Sequence, residues 1–251
     1  MSQQEYEEWR YANTWHPSRD SKLILESDVA PATWIEPSLF GDWCEVRMTV
    51  PQGFEAYARI FFPFVGEAII VDGLPGNEHI TWTEMARRNG RIAHALMEAQ
   101  TIQASADECA SCYDELVPEQ FEVLLPILTR HTSSSRSWFL LWEGFGDLPE
   151  QAFRPLPMVR HPMRDFYLLS GPHSAYKALP HDPGYWWPDD RAWCVCTDTD
   201  FNWAYVAGSA ACIDEVLSVP ALDAYATKPE NPAHAGMDVI NDPDGAIPRP
   251  I

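Results

Sequence analysis

Residues 186–209 read "WWPDDRAWCVCTDTDFNWAYVAGS", and the way this stretch is taken decides what kind of sheet the chain builds. "AWCVCTDTD" and "NWAYVAG" are short β-prone runs, each ended by a polar or glycine signal, which reads as two strands with turns between them. Ser209 then stands as an N-cap for a helix through "AACIDEVL" that stops before Pro220. Two strands in succession before one helix do not follow the strict βαβ alternation of a doubly wound nucleotide fold.

"SWFLLWEGFG" and "DFYLLSG" are further strands bounded by glycine or acid. "VPEQFEVLLPILTRH" puts Pro118 where a first helical turn tolerates it, with Phe121, Leu124, Leu125 and Leu128 on one side; Pro126 is expected to kink or end that helix. Thr81 and Glu84 have capping-box spacing, and Trp82, Met85, Asn89, Ile92, Leu96 and Ala99 recur at helical intervals, so a helix is expected from about 82 to 99, weakened at Gly90. In "CEVRMTVPQGFEAYARIFFP" Cys44, Val46, Met48 and Val50 share one face, and after "PQG" Phe54, Ala56, Ala58, Ile60 and Phe62 share another, which predicts two strands joined by a short turn, a hairpin that could stand as an N-terminal subdomain of the one domain. The expected architecture is α+β, a mainly antiparallel sheet with flanking helices, in a single domain over 21–226. An irregular segment at 1–20 precedes it and an irregular tail at 227–251, rich in Pro, Asp, Asn and Gly, follows it.

Hydrophobic residues at 46% and aromatics at 12% predict a packed core rather than a disordered chain. Thirty-seven acids against 17 bases leave a formal charge of −20, whose field repels phosphate backbones and anionic lipid. Nucleic acid and membrane are therefore set aside as partners, and a basic protein is the complementary choice. The start "MSQQEYEEWR" has neither a basic n-region nor an apolar h-region, and no apolar run reaches about 18 residues, so a cytoplasmic protein with reduced cysteines is expected.

Within the opening stretch, Asp198 and Asp200 alternate. On an extended strand they would point the same way, about 6.5 to 7 Å apart, able to share a divalent cation or to grip a basic partner. An apolar strand ending in Asp-x-Asp is also how sugar-nucleotide glycosyltransferases hold their metal, although the regular βα pattern of those enzymes is missing. Asp189, Asp190 and Arg191 follow Pro188, which forces Trp187 towards extended geometry and suits the acids to a turn. Trp186, Trp187, Trp193 and Trp203 put four of the chain's 11 tryptophans into this window, and tryptophan serves equally as a buried contact residue and as a core residue.

Other chemistry is thinner. Cys109 and Cys112 form one CxxC among acids, without the second pair a zinc site needs or the basic neighbour a reactive thiol needs. The eight histidines show no HExxH spacing, and GxSxG, P-loop and GxGxxG motifs are absent. Ser170 in "LLSGPHSA" could be imagined as a nucleophile beside a histidine, and Glu143 as a buried acid, but each more simply ends its strand at a glycine. No cofactor is expected.

Taken together, "WEGFG", "YLLSGP", "WWPDDRAW" and "TDTDFNWAYVAGS" resemble segments of an uncharacterised family of soluble actinobacterial proteins, over roughly residues 138 to 217. That family brings no assigned reaction, cofactor or partner. "VPQGFEAY" and the late strand followed by a Gly-Ser-capped helix are similar to the knr4/smi1-like immunity proteins that neutralise bacterial toxins, which implies a protein-binding role. Two readings stand. One is a non-enzymatic protein-binding module, immunity-like, that meets a basic partner through Trp186, Trp187, Asp189, Asp190, Arg191, Asp198, Asp200 and Trp203. The other is a metal-assisted hydrolase or transferase that uses Asp189, Asp190, Asp198 and Asp200.

Overall fold

Alternation along the strands sorts their side chains onto two faces, and both faces are buried. A computed structural model describes residues 22–39, 44–65, 69–71, 74–76, 79–103, 112–113, 115–162 and 164–245. Its strands are β1 (Ile24–Leu25), β2 (Ala56–Phe61), β3 (Phe64–Val65), β4 (Ile69–Val71), β5 (Leu74–Gly76), β6 (His79–Ile80), β7 (Arg136–Trp142), β8 (Met158–Val159), β9 (Phe166–Pro172), β10 (Tyr185–Pro188), β11 (Trp193–Cys196), β12 (Trp203–Gly208) and β13 (Ala224–Thr227). Nine of them form one sheet in the order β1-β9-β7-β10-β11-β12-β2-β13, with β8 also on β9. Every pairing in it is antiparallel. The fold is α+β with a mainly antiparallel sheet, as the pattern of short runs predicts.

Among the described residues three α-helices cover one face, and two pack with Phe61 and Phe64 in a separate cluster. The helices α1 (Trp82–Arg88), α2 (Ala99–Ile102), α3 (Pro118–Arg130), α4 (Glu150–Phe153) and α5 (Ala210–Leu217) follow in chain order. α3 and α5 bury Phe121, Leu124, Leu128, Ile213 and Val216 against Ile60, Phe139, Leu169, Trp186, Trp193, Val195 and Val206. The chain before β2 covers the other face, placing Ala32, Ile35, Val46 and Val50 over Tyr57, Leu140, Leu168, Trp187, Cys194, Cys196 and Tyr205. Strands buried on both sides read as near-continuous apolar runs, and "RSWFLLW" and "WAYVAG" do so.

Three local expectations are corrected. Residues 44–50 are not a strand, because Val46–Met48 is a 3₁₀ turn whose amides bond the carbonyls of Asn231 and Pro229, so no N-terminal hairpin subdomain forms. The helix expected to reach residue 99 ends at Arg88: Gly90 adopts φ +63°, with Arg91 N on the Ala86 carbonyl at 2.8 Å and Gly90 N on that of Arg87 at 3.3 Å. That is the Schellman closure, which needs a left-handed residue just past the helix. α3 in contrast runs through Pro126 instead of ending there, and Ile127 and Leu128 beyond it are buried in the core.

The C-terminal tail is irregular in backbone yet tied into the body. Asp238, fully buried, accepts from Asn241 N at 2.9 Å and from Thr101 Oγ1, and lies 2.9 Å from His94 Nε2. Glu98 carboxylate oxygens take the amides of Gly236 and Asp238. Beside this network the buried Arg59 guanidinium lies 3.7 Å over the Trp203 ring and donates to the Ala95 carbonyl at 2.7 Å; burial lowers its pKa to about 10 against the pull of Tyr205, Glu98 and Asp238. Among the described residues no helix is long and apolar enough to cross a membrane.

Candidate functional site

The eight residues of the Trp- and Asp-rich segment do not converge on one place. Pairing of β10 with β11 puts Asp189 and Asp190 at one end of the sheet, in the turn that joins these strands, and Asp198 and Asp200 at the other end, just past β11. Four residues of β11 separate the pairs, a rise of roughly 13 Å at 3.3 Å per residue. A single four-carboxylate catalytic centre is therefore corrected by the geometry. Among the described residues, no three His, Cys, Asp or Glu side chains gather as a metal's ligands would.

At the turn end the acids serve the backbone. Arg191 N bonds the Pro188 carbonyl at 2.9 Å, and Arg191 closes the turn at φ +53°, a left-handed position that costs a non-glycine residue strain. Asp190 accepts from Thr132 Oγ1 at 2.7 Å, from Ser133 N and Oγ at 2.8 Å each, and from Ala192 N at 3.2 Å. Partial desolvation works to raise its pKa, but these four donors outweigh it and set the carboxyl at about 2. Asp189 accepts from Trp138 Nε1 at 2.5 Å, and the Arg191 guanidinium lies 5.1 Å from the Trp34 ring centroid. The turn thus staples the loop at 132–134 to the β10–β11 hairpin.

Between the two ends, Trp186 and Trp187 are core residues with 0% and 1% exposure, Trp193 is equally buried, and Trp203 is half-buried. Trp186 packs edge-on to Trp193 at 4.9 Å and parallel to Phe139 at 6.1 Å. The expectation that Trp186 and Trp187 contact a partner is corrected: alternation sends one to each face of the sheet, and both faces are covered. Nothing in a short Trp–Trp run tells a surface strand from one buried on both sides, which is why the sequence left the choice open.

At the open end the strand stops at Cys196, and the two carboxylates are brought together by a loop rather than by pleat. Arg164 bridges them, with Nη2 2.8 Å from Asp198 Oδ1 and 2.5 Å from Asp200 Oδ2, while its guanidinium stacks 4.6 Å from the Trp142 ring centroid. Beside this clamp lies a cleft of about 80 Å³ lined by Glu115, Trp142, Phe145, His181, Asp182 and Asp198, among others. His181 lies flat on Phe145 at 3.9 Å and reaches Asp147 at 2.8 Å. Gly184 keeps the cleft's floor low, since a Cβ there would stand 2.6 Å from the Phe166 ring. His161 nearby is held below its ordinary pKa by burial, which outweighs the pull of Asp198, and its Nε2 lies 3.0 Å from the Tyr185 hydroxyl.

Sequence reasoning missed Arg164, Trp142 and His181, because they come from three separate segments and carry no local motif. Ser170 bonds Glu26 and Arg136 rather than a histidine. The Ser–His contact in the structure is Ser137 Oγ to His173 Nδ1 at 2.6 Å, with His173 Nε2 at 2.8 Å from the Ser134 carbonyl, an assignment that makes the hydroxyl the donor. Ser137 is fully buried, so it is closed to a substrate. Cys194 and Cys196 are buried thiols 3.6 Å apart, and desolvation pushes Cys196 well up, which makes it unreactive. Cys109 of the CxxC lies outside the described residues. No family model, no curated protein and no solved structure matches this chain.

Proposed function

We propose that the chain is a non-enzymatic, cytoplasmic protein-binding module that takes a basic side chain of a partner protein into the cleft beside Arg164. The observation that carries this reading is the lining of the cleft: Glu115, Asp182 and Asp198 stand there with Trp142, Phe145 and His181, Asp182 taking the Leu116 amide at 2.9 Å and Asp198 the guanidinium of Arg164. Carboxylates and ring faces are the two surfaces that attract lysine and arginine. Arg164 serves as an internal template, since it already sits between a ring and two carboxylates. The overall charge of −20 draws a basic partner from a distance. The similarity to the knr4/smi1-like immunity proteins points to the same class of role.

The test is calorimetric titration with an arginine-rich peptide. Affinity should fall at least tenfold as salt rises from about 0.05 to 0.5 M, where the Debye length contracts from roughly 14 to 4 Å. Asp198→Asn should weaken binding by about a further tenfold. Equal binding by Asp198→Asn removes the cleft from the reading, and no binding by the parent chain overturns the reading itself.

A further inference from the structure

We infer that the outer edge of β13 is a second docking surface, built to receive an extended basic segment of a protein as an added strand. It rests on the reading of the chain as a binder of basic protein, but on a different part of the molecule. β13 is the last strand in its sheet, and among the described residues no strand pairs with its outer side. The direction of its free groups follows from the ladder. Phe61 N bonds the Asp223 carbonyl, so the pair 61/223 is of the hydrogen-bonded kind, and alternation makes Arg59/Tyr225 and Tyr57/Thr227 the same. The N–H and C=O groups of Ala224 and Ala226 therefore project away from β2, four backbone groups in the arrangement that accepts another strand.

The surroundings specify what kind of strand. An open groove of about 540 Å³ lies at the C-terminal end of β13, between α5 and the chain entering β2. Its floor holds Ile213, Leu217 and Ala226, and its rim carries Glu55, Asp214 and Glu230 against one cation, Lys228. The alanine at 226 is exposed and keeps the edge low. An added strand alternates its side chains, so the set turned towards α5 would meet the groove, where long basic residues lay their apolar stems on the floor and their charged heads among the acids. Lys228 and Pro229 close the strand at its C-terminal end, which limits the added pairing to the four residues of β13.

The probe is a short fluorescent peptide alternating lysine and valine, followed by anisotropy and by amide hydrogen exchange on the unaltered chain. Binding should slow exchange at Ala224 and Ala226. Ala226→Pro, which removes an outward N–H and leaves the bonds to β2 in place, should weaken binding about tenfold or more, and Asp214→Asn with Glu230→Gln should weaken it severalfold. Unchanged exchange at both alanines together with unchanged affinity in Ala226→Pro overturns the proposal. If that same peptide is then lost in Asp198→Asn, the cleft reading survives while the edge falls. If neither the parent chain nor any variant binds it, the edge proposal falls alone, since the cleft is tested by the arginine-rich peptide.

Discussion

The two ends of the β10–β11 hairpin carry the same pair of residue types, two aspartates each, and use them in opposite ways. At the turn, Asp190 is surrounded by neutral donors from Thr132, Ser133 and Ala192, all of them in the loop it holds or in its own turn. At the open end, Asp198 and Asp200 meet a cation, Arg164, against an aromatic ring and beside a cleft. Neutral donors that close a loop serve folding. A charged clamp at the mouth of a cleft is where the proposed partner contact lies. Acidic content alone does not separate these roles; what the carboxylates face does.

The strands between the ends are the frame for both, and the largest effect is expected there. Trp186→Ala should lower stability by about 3 to 5 kcal/mol in urea unfolding, as for large-to-small changes in a packed core. Trp186→Phe should cost far less, because Trp186 Nε1 has no hydrogen-bond partner and loses nothing when removed. Equal losses would mean that the indole nitrogen is satisfied in solution.

At the open end, Arg164→Gln should cost about 1 to 2 kcal/mol by leaving two carboxylates together, and the cost should shrink as salt rises. At the turn, Asp190→Asn should cost about 1 kcal/mol after discounting for solvent screening, and salt should leave that cost nearly unchanged. The pH dependence follows from the sign of the shift. The folded carboxyl is lowered to about 2 from 3.8, so its contribution is complete above about pH 4 and is lost as pH falls from 4 towards 2. Asp190→Asn should flatten the acid limb of the stability curve in that window. If both variants respond to salt alike, the contrast between the ends is gone.

Much of the fold was legible because it rests on local patterns. Short apolar runs broken by Gly, Pro and Asp marked the strands β7, β9, β11 and β12 but not β8 or β10, and Ser209 marked the start of α5, where its hydroxyl does accept from Cys212 N at 3.2 Å. What failed depended on distant partners. The alternating residues 44–50 look like a strand, but their amides are taken by Pro229 and Asn231, about 180 residues away. Asp198 and Asp200 were legible as two carboxylates able to grip a cation, or as a polar strand end. That the cation is Arg164 of the same chain was not, because a guanidinium arriving from a separate loop leaves no mark in "TDTD".

The division of labour between the ends is tested most directly by adding N-acetyl-arginine amide at low salt and following backbone amide resonances. Saturable shifts are predicted at Trp142, Thr197 and Asp198, lost in Asp198→Asn, with Asp189 to Ala192 unmoved. Shifts at the turn with none at the cleft, or the same shifts in Asp198→Asn, would contradict the account.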